Sequence, residues 1–368
     1  MRRFLKFAKF ALIAVVAVFI LIVGVLFTVR TLRQRANERA FALASPPGIV
    51  ESGYVEIGGI KQWIQIRGRD RNNPVLLCVH GGPGGTWLPV TRLFASWEKD
   101  FTVVLWDQRG AGKTLATTGP AIAPTMTIER MTQDGIAVAE HLRRRLGKEK
   151  VALLGHSFGS ILGVNMVKRR PELFSVFVGT GQASDLPRSL AMEYQRLLDA
   201  AKAAQDVRTL RELTAIGQPP FSNLKQTGAF FQCAERYQPA ADAAAMVELQ
   251  RSLLSPPPNY SLGDEWNRMR GFAVVPTWAL YREILSTDLA ALGAEFPVPV
   301  VLIQGTDDRV TPLALTEEYF QTIRAPHKEL VRIERGGHFA VWSQAEKFGE
   351  ELAQRVRPLL AKSSVRLK

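Results

Sequence analysis

The residue best suited to chemistry is Ser157, in Gly155-His156-Ser157-Phe158-Gly159, with the apolar run Val151-Ala152-Leu153-Leu154 before it and a helix-like run, Ile161 to Arg170, after it. A strand that turns sharply into a helix strains the backbone of the central residue and leaves its hydroxyl exposed at the strand's end. That is the setting of a serine nucleophile for acyl transfer. A second loop, His80-Gly81-Gly82-Pro83-Gly84-Gly85, follows the apolar run Val75-Leu76-Leu77-Cys78-Val79. Its glycines let backbone N–H groups converge where an oxyanion would develop. We expect the two donors to be Gly82 and Phe158, with Gly81 as the rival for the first.

A serine nucleophile needs a base, and behind an elbow of this type the chain order is nucleophile, acid, histidine. Of the five histidines only His327 and His338 lie far enough downstream of Ser157. His338 follows a strand-like run, in Arg335-Gly336-Gly337-His338-Phe339, where a loop would reach the strand ends. It is therefore the expected base, and His327 a surface residue. The acid is sought in Gly305-Thr306-Asp307-Asp308-Arg309-Val310-Thr311-Pro312, after the run 298–304. Its spacing favours Asp308 for holding the imidazole, while Asp307 suits a turn cap.

The elements that must position these groups alternate. Strands are expected at about 53–58, 60–67, 74–79, 101–106, 150–154, 174–179, 298–304 and 328–333, with helical patterns between them, including 127–146 and 313–323. Such alternation indicates an α/β fold, a mainly parallel eight-stranded sheet with helices on both faces. Gly58-Gly59 joins the first two strands as a hairpin. From Gly181 to Phe296 the pattern becomes alanine-rich and amphipathic, broken by Pro219-Pro220 and Pro256-Pro257-Pro258, which reads as a helical cap over the strand ends. Gly110-Ala111-Gly112-Lys113-Thr114 ends like a phosphate-binding loop, but the first glycine of that motif is an aspartate, Asp107, whose charge would repel a triphosphate. No nucleotide, other cofactor or metal is expected.

HGGPGG, Asp107-Gln108-Arg109-Gly110, GHSFGS, GTDDRVTP and GGHF occur in an order that resembles the proline iminopeptidases, peptidases of the α/β-hydrolase fold. The resemblance covers roughly 51–182 and 297–345. It implies a serine hydrolase that removes an N-terminal residue, such as proline, from short peptides through an acyl-enzyme. It also implies a cap carboxylate that holds the substrate's ammonium group; of Asp264, Glu265 and Glu283, Glu265 is the first choice. The elbow of that family usually reads GGSWGS, and GHSFGS is closer to esterases and lipases, so a hydrolase of small carboxylic esters is the second expectation. A catalytically silent hydrolase fold that binds a partner is the third.

Phe10 to Val29 is a run of twenty residues without a charge. As a helix it would be about 30 Å long, the thickness of a bilayer's hydrocarbon. The run exceeds the 7–15 residues usual for the core of a cleaved signal peptide, and the small-x-small site Ala42-Leu43-Ala44 lies well beyond it, so an uncleaved anchor is expected. The short basic N-tail would stay cytoplasmic, leaving the catalytic part outside the inner membrane of a bacterial host. The expected division is a basic tail 1–9, a membrane span 10–29, a linker 30–50, the core in two parts, 51–182 and 297–362, the cap 183–296, and a basic tail 363–368. The formal charge is +13, but residues 1–40 carry a net +7 and residues 355–368 a net +5. The body is nearly neutral, which suits lipid headgroups at its ends rather than nucleic acid. The two cysteines, Cys78 and Cys233, fall in a strand and in the cap, so no disulfide is expected, and nothing fixes an oligomeric state.

Overall fold

A computed structural model describes residues 2–43, 46–273 and 276–363. The basic tail expected at 363–368 therefore lies outside the described residues except for Ser363, as does Ala44 of the small-x-small site. Eight strands, β1 Ile49–Ile57, β2 Ile60–Gly68, β3 Val75–Val79, β4 Thr102–Asp107, β5 Val151–His156, β6 Phe174–Thr180, β7 Val300–Gly305 and β8 Lys328–Ile333, form one sheet in the order β1-β2-β4-β3-β5-β6-β7-β8. β1 pairs antiparallel with β2, and β2 with β4; every other pairing is parallel. All eight expected strands are present. β1 starts earlier than expected because Ile49 to Ser52 continue the ladder against Gln65 to Gly68, a pairing that the weak strand signal of Ser52-Gly53 conceals.

Eleven helices are named in chain order: α1 Arg2–Ala40, α2 Gly112–Thr118, α3 Ile128–Leu146, α4 Phe158–Arg169, α5 Leu186–Ala203, α6 Val207–Ile216, α7 Leu224–Glu235, α8 Ala240–Leu254, α9 Leu262–Ala273, α10 Trp278–Leu285 and α11 Leu313–Thr322. Their starts carry the expected chemistry. Thr127, Asp185, Asp206, Asn223 and Thr277 each accept a hydrogen bond from an N–H in the first turn of the helix that follows, which satisfies one orphan donor.

β3, β5, β6 and β7 are buried at every residue, as strands covered on both faces must be. Alternate side chains face opposite layers. Leu77, Leu153, Phe177 and Leu302 pack on one side of the sheet, whereas Leu76, Leu154, Val178 and Ile303 pack on the other. Helices α5 to α10 lie between β6 and β7 in the chain and form the cap. Leu190, Tyr194, Leu197, Leu213, Phe221 and Phe230 give it a small core of its own.

α1 is long and apolar enough to cross a membrane, and none of its most apolar stretch is buried. It does not end at Val29. Residues 30–40, expected as linker, continue the helix because Arg30, Gln34 and Asn37, at i, i+4 and i+7, share a face that docks on the cap. Arg30 Nη2 donates to the Tyr260 carbonyl at 3.0 Å, Gln34 Nε2 to the Pro257 carbonyl at 3.3 Å, and Asn37 Nδ2 to the Pro256 carbonyl at 2.8 Å.

Candidate active site

β5 delivers Ser157 to the C-terminal edge of the sheet, where α4 begins at the next residue. Ser157 has φ 54° and ψ −123°, a conformation costly for a side-chain-bearing residue and kept only where the surroundings enforce it. Here they do. Its N–H donates to the Thr180 carbonyl at 3.0 Å, and its own carbonyl accepts from Ser160 N at 2.8 Å and Ser160 Oγ at 2.7 Å. Gly159 is required by close approach, since a Cβ there would lie 2.0 Å from the Val79 carbonyl oxygen. This contact presses α4 against the end of β3 and lifts Ser157 clear of the sheet.

Three distant residues meet at this edge. His338 Nε2 lies 3.0 Å from Ser157 Oγ, and His338 Nδ1 lies 3.0 Å from Asp308 Oδ2 and 3.1 Å from Asp308 Oδ1. Asp308 is held independently of the histidine. Its Oδ1 accepts from the N–H groups of Val310 and Thr311 at 2.9 and 2.8 Å, and its Oδ2 from Thr311 Oγ1 and Gln304 Nε2 at 2.7 and 2.8 Å. Burial alone would raise the Asp308 pKa, but the imidazole and the Thr311 donors outweigh it, and the group sits below its ordinary value. His338 is the converse: burial favours the neutral ring, yet the charge and hydrogen bond of Asp308, aided by Asp242, hold its pKa above the ordinary one. Asp307 stays outside this cluster; its N–H donates to the Gly336 carbonyl.

The glycine loop after β3 borders Ser157, for a Cβ on Gly81 would lie 2.8 Å from Ser157 Cβ. Phe158 is the first residue of α4, so its amide is among those a helix N-terminus leaves without an intrahelical acceptor. His80 braces the loop: its carbonyl accepts from Gln108 Nε2 at 2.8 Å, and burial pushes its pKa down to about 4. Asp107 is engaged within the protein. It accepts from Thr86 Oγ1 and, at 2.7 Å, from Lys113 N, and burial raises its pKa to about 6. Arg109 ties the same turn to Asp134 at 2.8 Å.

Two groups that sequence reasoning did not single out grip the main chain of His338. Asp242, in the first turn of α8, accepts from the N–H groups of His338 and Phe339 at 3.0 and 2.9 Å. His156 has Nε2 2.9 Å from the His338 carbonyl oxygen. That nitrogen must carry the proton, and burial pushes the His156 pKa down to about 3, so the ring stays neutral. The visible clue to Asp242 was a lone acid among alanines, in Ala240-Ala241-Asp242-Ala243-Ala244-Ala245. Thr311 and Gln304 flank Asp308 in the chain and were in plain sight, but their partners were not.

Glu265 differs from expectation. Its carboxylate is buried and already engaged, by Tyr260 Oη at 3.0 Å and by Arg268 Nε at 2.9 Å. Asp264 pairs with Lys113 Nζ at 2.7 Å, and Glu283 accepts from Ile128 N at 3.0 Å. An arginine three residues along the same helix neutralises Glu265, and the Lys113 ammonium already occupies Asp264, so neither is open to a substrate's ammonium group.

Residues 74–345 match the family model described as alpha/beta hydrolase fold. The chain is an α/β-hydrolase. The curated "Probable aminopeptidase YbaC" of Bacillus subtilis (strain 168) is 28% identical over 310 residues, spanning 82% of this chain and 95% of the relative. A proline iminopeptidase of Saccharolobus solfataricus is 22% identical over 314 residues, 83% of this chain and 92% of its own. The crystal structure of a proline iminopeptidase-related protein from Thermus thermophilus superposes with a TM-score of 0.56 at 20% identity, covering 85% of this hydrolase and 99% of that chain. At that identity the likeness speaks for the fold. Both curated relatives bear aminopeptidase-type names, at modest identity to this α/β-hydrolase.

Proposed function

We propose that this α/β-hydrolase is a membrane-anchored serine hydrolase acting through an acyl-enzyme. The observation that carries the reading is the relay Ser157 Oγ to His338 Nε2, and His338 Nδ1 to Asp308, at 3.0 Å each. His338 takes the Ser157 proton as the oxygen attacks the substrate carbonyl, and Asp308 fixes the tautomer and stabilises the imidazolium. The N–H groups of Gly82 and Phe158 receive the oxyanion. The imidazolium then protonates the leaving group, and water, activated by the same ring, releases the acid. Residues 10–29 of α1 cross the bilayer, with the catalytic body on the extracytoplasmic side.

The leading substrate is a short peptide cleaved after its N-terminal residue, supported by the similarity to aminopeptidases and by the HGGPGG and DQRG motifs. A carboxylic ester is the second reading, favoured by one observation: Glu265, Asp264 and Glu283 already have partners within the protein. Purified full-length protein is to be labelled with a fluorophosphonate and assayed on prolyl p-nitroanilide and on a short-chain p-nitrophenyl ester. Labelling lost in Ser157→Ala is expected. A wild type that neither labels nor hydrolyses either substrate would leave only a binding protein.

A further inference from the structure

The cap helix α9 carries a stripe that the catalytic reading does not use. Leu262, Trp266 and Met269, at i, i+4 and i+7, share one face and are 53%, 59% and 45% exposed, and Phe272 follows at 58%. The acids of α9 point the other way. Asp264 and Glu265 are buried against Lys113, Tyr260 and Arg268, so the exposed arc presents no negative charge. An apolar helix face with a tryptophan and without acids is the composition of a helix that lies in a membrane interface.

Its position says what covers it. The uncharged run of α1 ends at Val29, so a bilayer crossed by that run has its boundary at Arg30, whose Nη2 is 3.0 Å from the Tyr260 carbonyl oxygen. Gln34 reaches the same carbonyl at 3.3 Å. Leu262 is two residues further on, a reach of at most about 7 Å. We propose that the Leu262, Trp266, Met269 and Phe272 face of α9 lies in the headgroup region of the bilayer that α1 crosses, a second contact between this protein and a lipid surface. This rests on the reading of α1 as a membrane span. At its far end α9 touches the glycine loop, since a Cβ on Gly84 would lie 2.0 Å from the Gly271 carbonyl oxygen. The loop beside Ser157 thus adjoins a residue whose neighbour, Phe272, faces lipid in this arrangement, so that within the ester reading an amphiphile presented by the leaflet would have a short path to Ser157.

The test uses the full chain in phosphatidylethanolamine and phosphatidylglycerol vesicles, with an NBD label on Met269→Cys and, as reference, on Val207→Cys, an exposed position of α6. Both native cysteines are buried. The label at 269 is expected to shift to the blue and to be quenched by lipids spin-labelled near the headgroup, and the label at 207 to do neither. Equal behaviour at the two sites, in protein that withstands carbonate extraction, overturns the docking while leaving the anchor intact. Protein that washes off in carbonate overturns both. As a second readout, Trp266→Asp with Met269→Asp should lower hydrolysis of a vesicle-borne ester several-fold relative to a soluble one; an unchanged ratio counts against the proposal. If the wild type hydrolyses neither ester, the quenching result alone decides the docking.

Discussion

The sheet's C-terminal edge and the cap hold their polar side chains by different means. At the edge, much of the placement is local in the chain: Ser157 by its strained backbone at the turn from strand to helix, and Asp308 by Gln304 four residues before and by Thr311 three residues after. In the cap, Asp242 matters because it reaches the main chain of His338, 96 residues away, and Glu265 is neutralised by a neighbour on its own helix. A group placed by local backbone geometry announces itself as a motif. A group placed by tertiary packing does not.

The sharpest way to break this comparison is to remove charge from each region in turn. Asp308→Asn keeps the side chain's shape but offers an amide where His338 Nδ1 needs an acceptor, so kcat/KM is expected to fall roughly 10⁴-fold. Asp242→Asn disturbs the placement of the histidine through its backbone, and a shift of a few tenths of an ångström to 1 Å is expected to cost about 10- to 100-fold at the pH optimum, mainly in kcat. Steady-state kinetics on one ester, beside melting curves, separates the two. If Asp242→Asn costs as much as Asp308→Asn, or acts only by lowering the melting temperature, the division between edge and cap is wrong.

The same contrast explains what could be read from the chain. All eight strands, the hairpin and the helical nature of the cap followed from period and punctuation, because buried parallel strands such as 151–154 and 300–304 are continuous apolar runs bounded by glycine motifs. Ser157, His338 and Asp308 could be chosen by order and spacing alone, and the structure brings them together. The cap carboxylate could not be chosen so, since amphipathic helices place acids on many faces and only packing tells which is paired: Glu265 is held by Arg268 and Tyr260, while Asp242, unremarked in its alanine run, is buried against the loop that carries His338. Nor did the uncharged run show where α1 would end, because residues 30–40 are helical by virtue of what they dock on.

A smaller effect sharpens the role of Asp242. His338 has a pKa above its ordinary 6.5, with burial working against that rise and Asp308 and Asp242 producing it. The base is lost as the ring takes up a proton, so kcat/KM should fall as pH drops through a value above 6.5, and activity should be fully present only at higher pH. Removing the Asp242 charge makes the ring less basic. The acid limb of Asp242→Asn should therefore move to lower pH than that of the wild type, measured with a substrate that does not itself titrate. A limb that stays in place would mean that the cap reaches the base through geometry alone.

The smallest effect expected is at the other end of α8. Asn37 Nδ2 donates to the Pro256 carbonyl at 2.8 Å and to Ser255 Oγ at 3.1 Å, tying the end of α1 to the residues that directly follow α8. Asn37→Ala removes both bonds from a half-buried site, where each is worth about 1 kcal/mol at most because water replaces part of the loss. In detergent the melting temperature should drop by a few degrees, while kcat on a soluble ester changes less than about twofold, since α8 is one 15-residue helix whose N-terminal turn is held separately by Asp242. A tenfold fall in kcat without loss of stability would show the opposite. The end of α1 would then act on His338 through α8, and the cap would transmit position over the whole length of that helix instead of merely supporting the site.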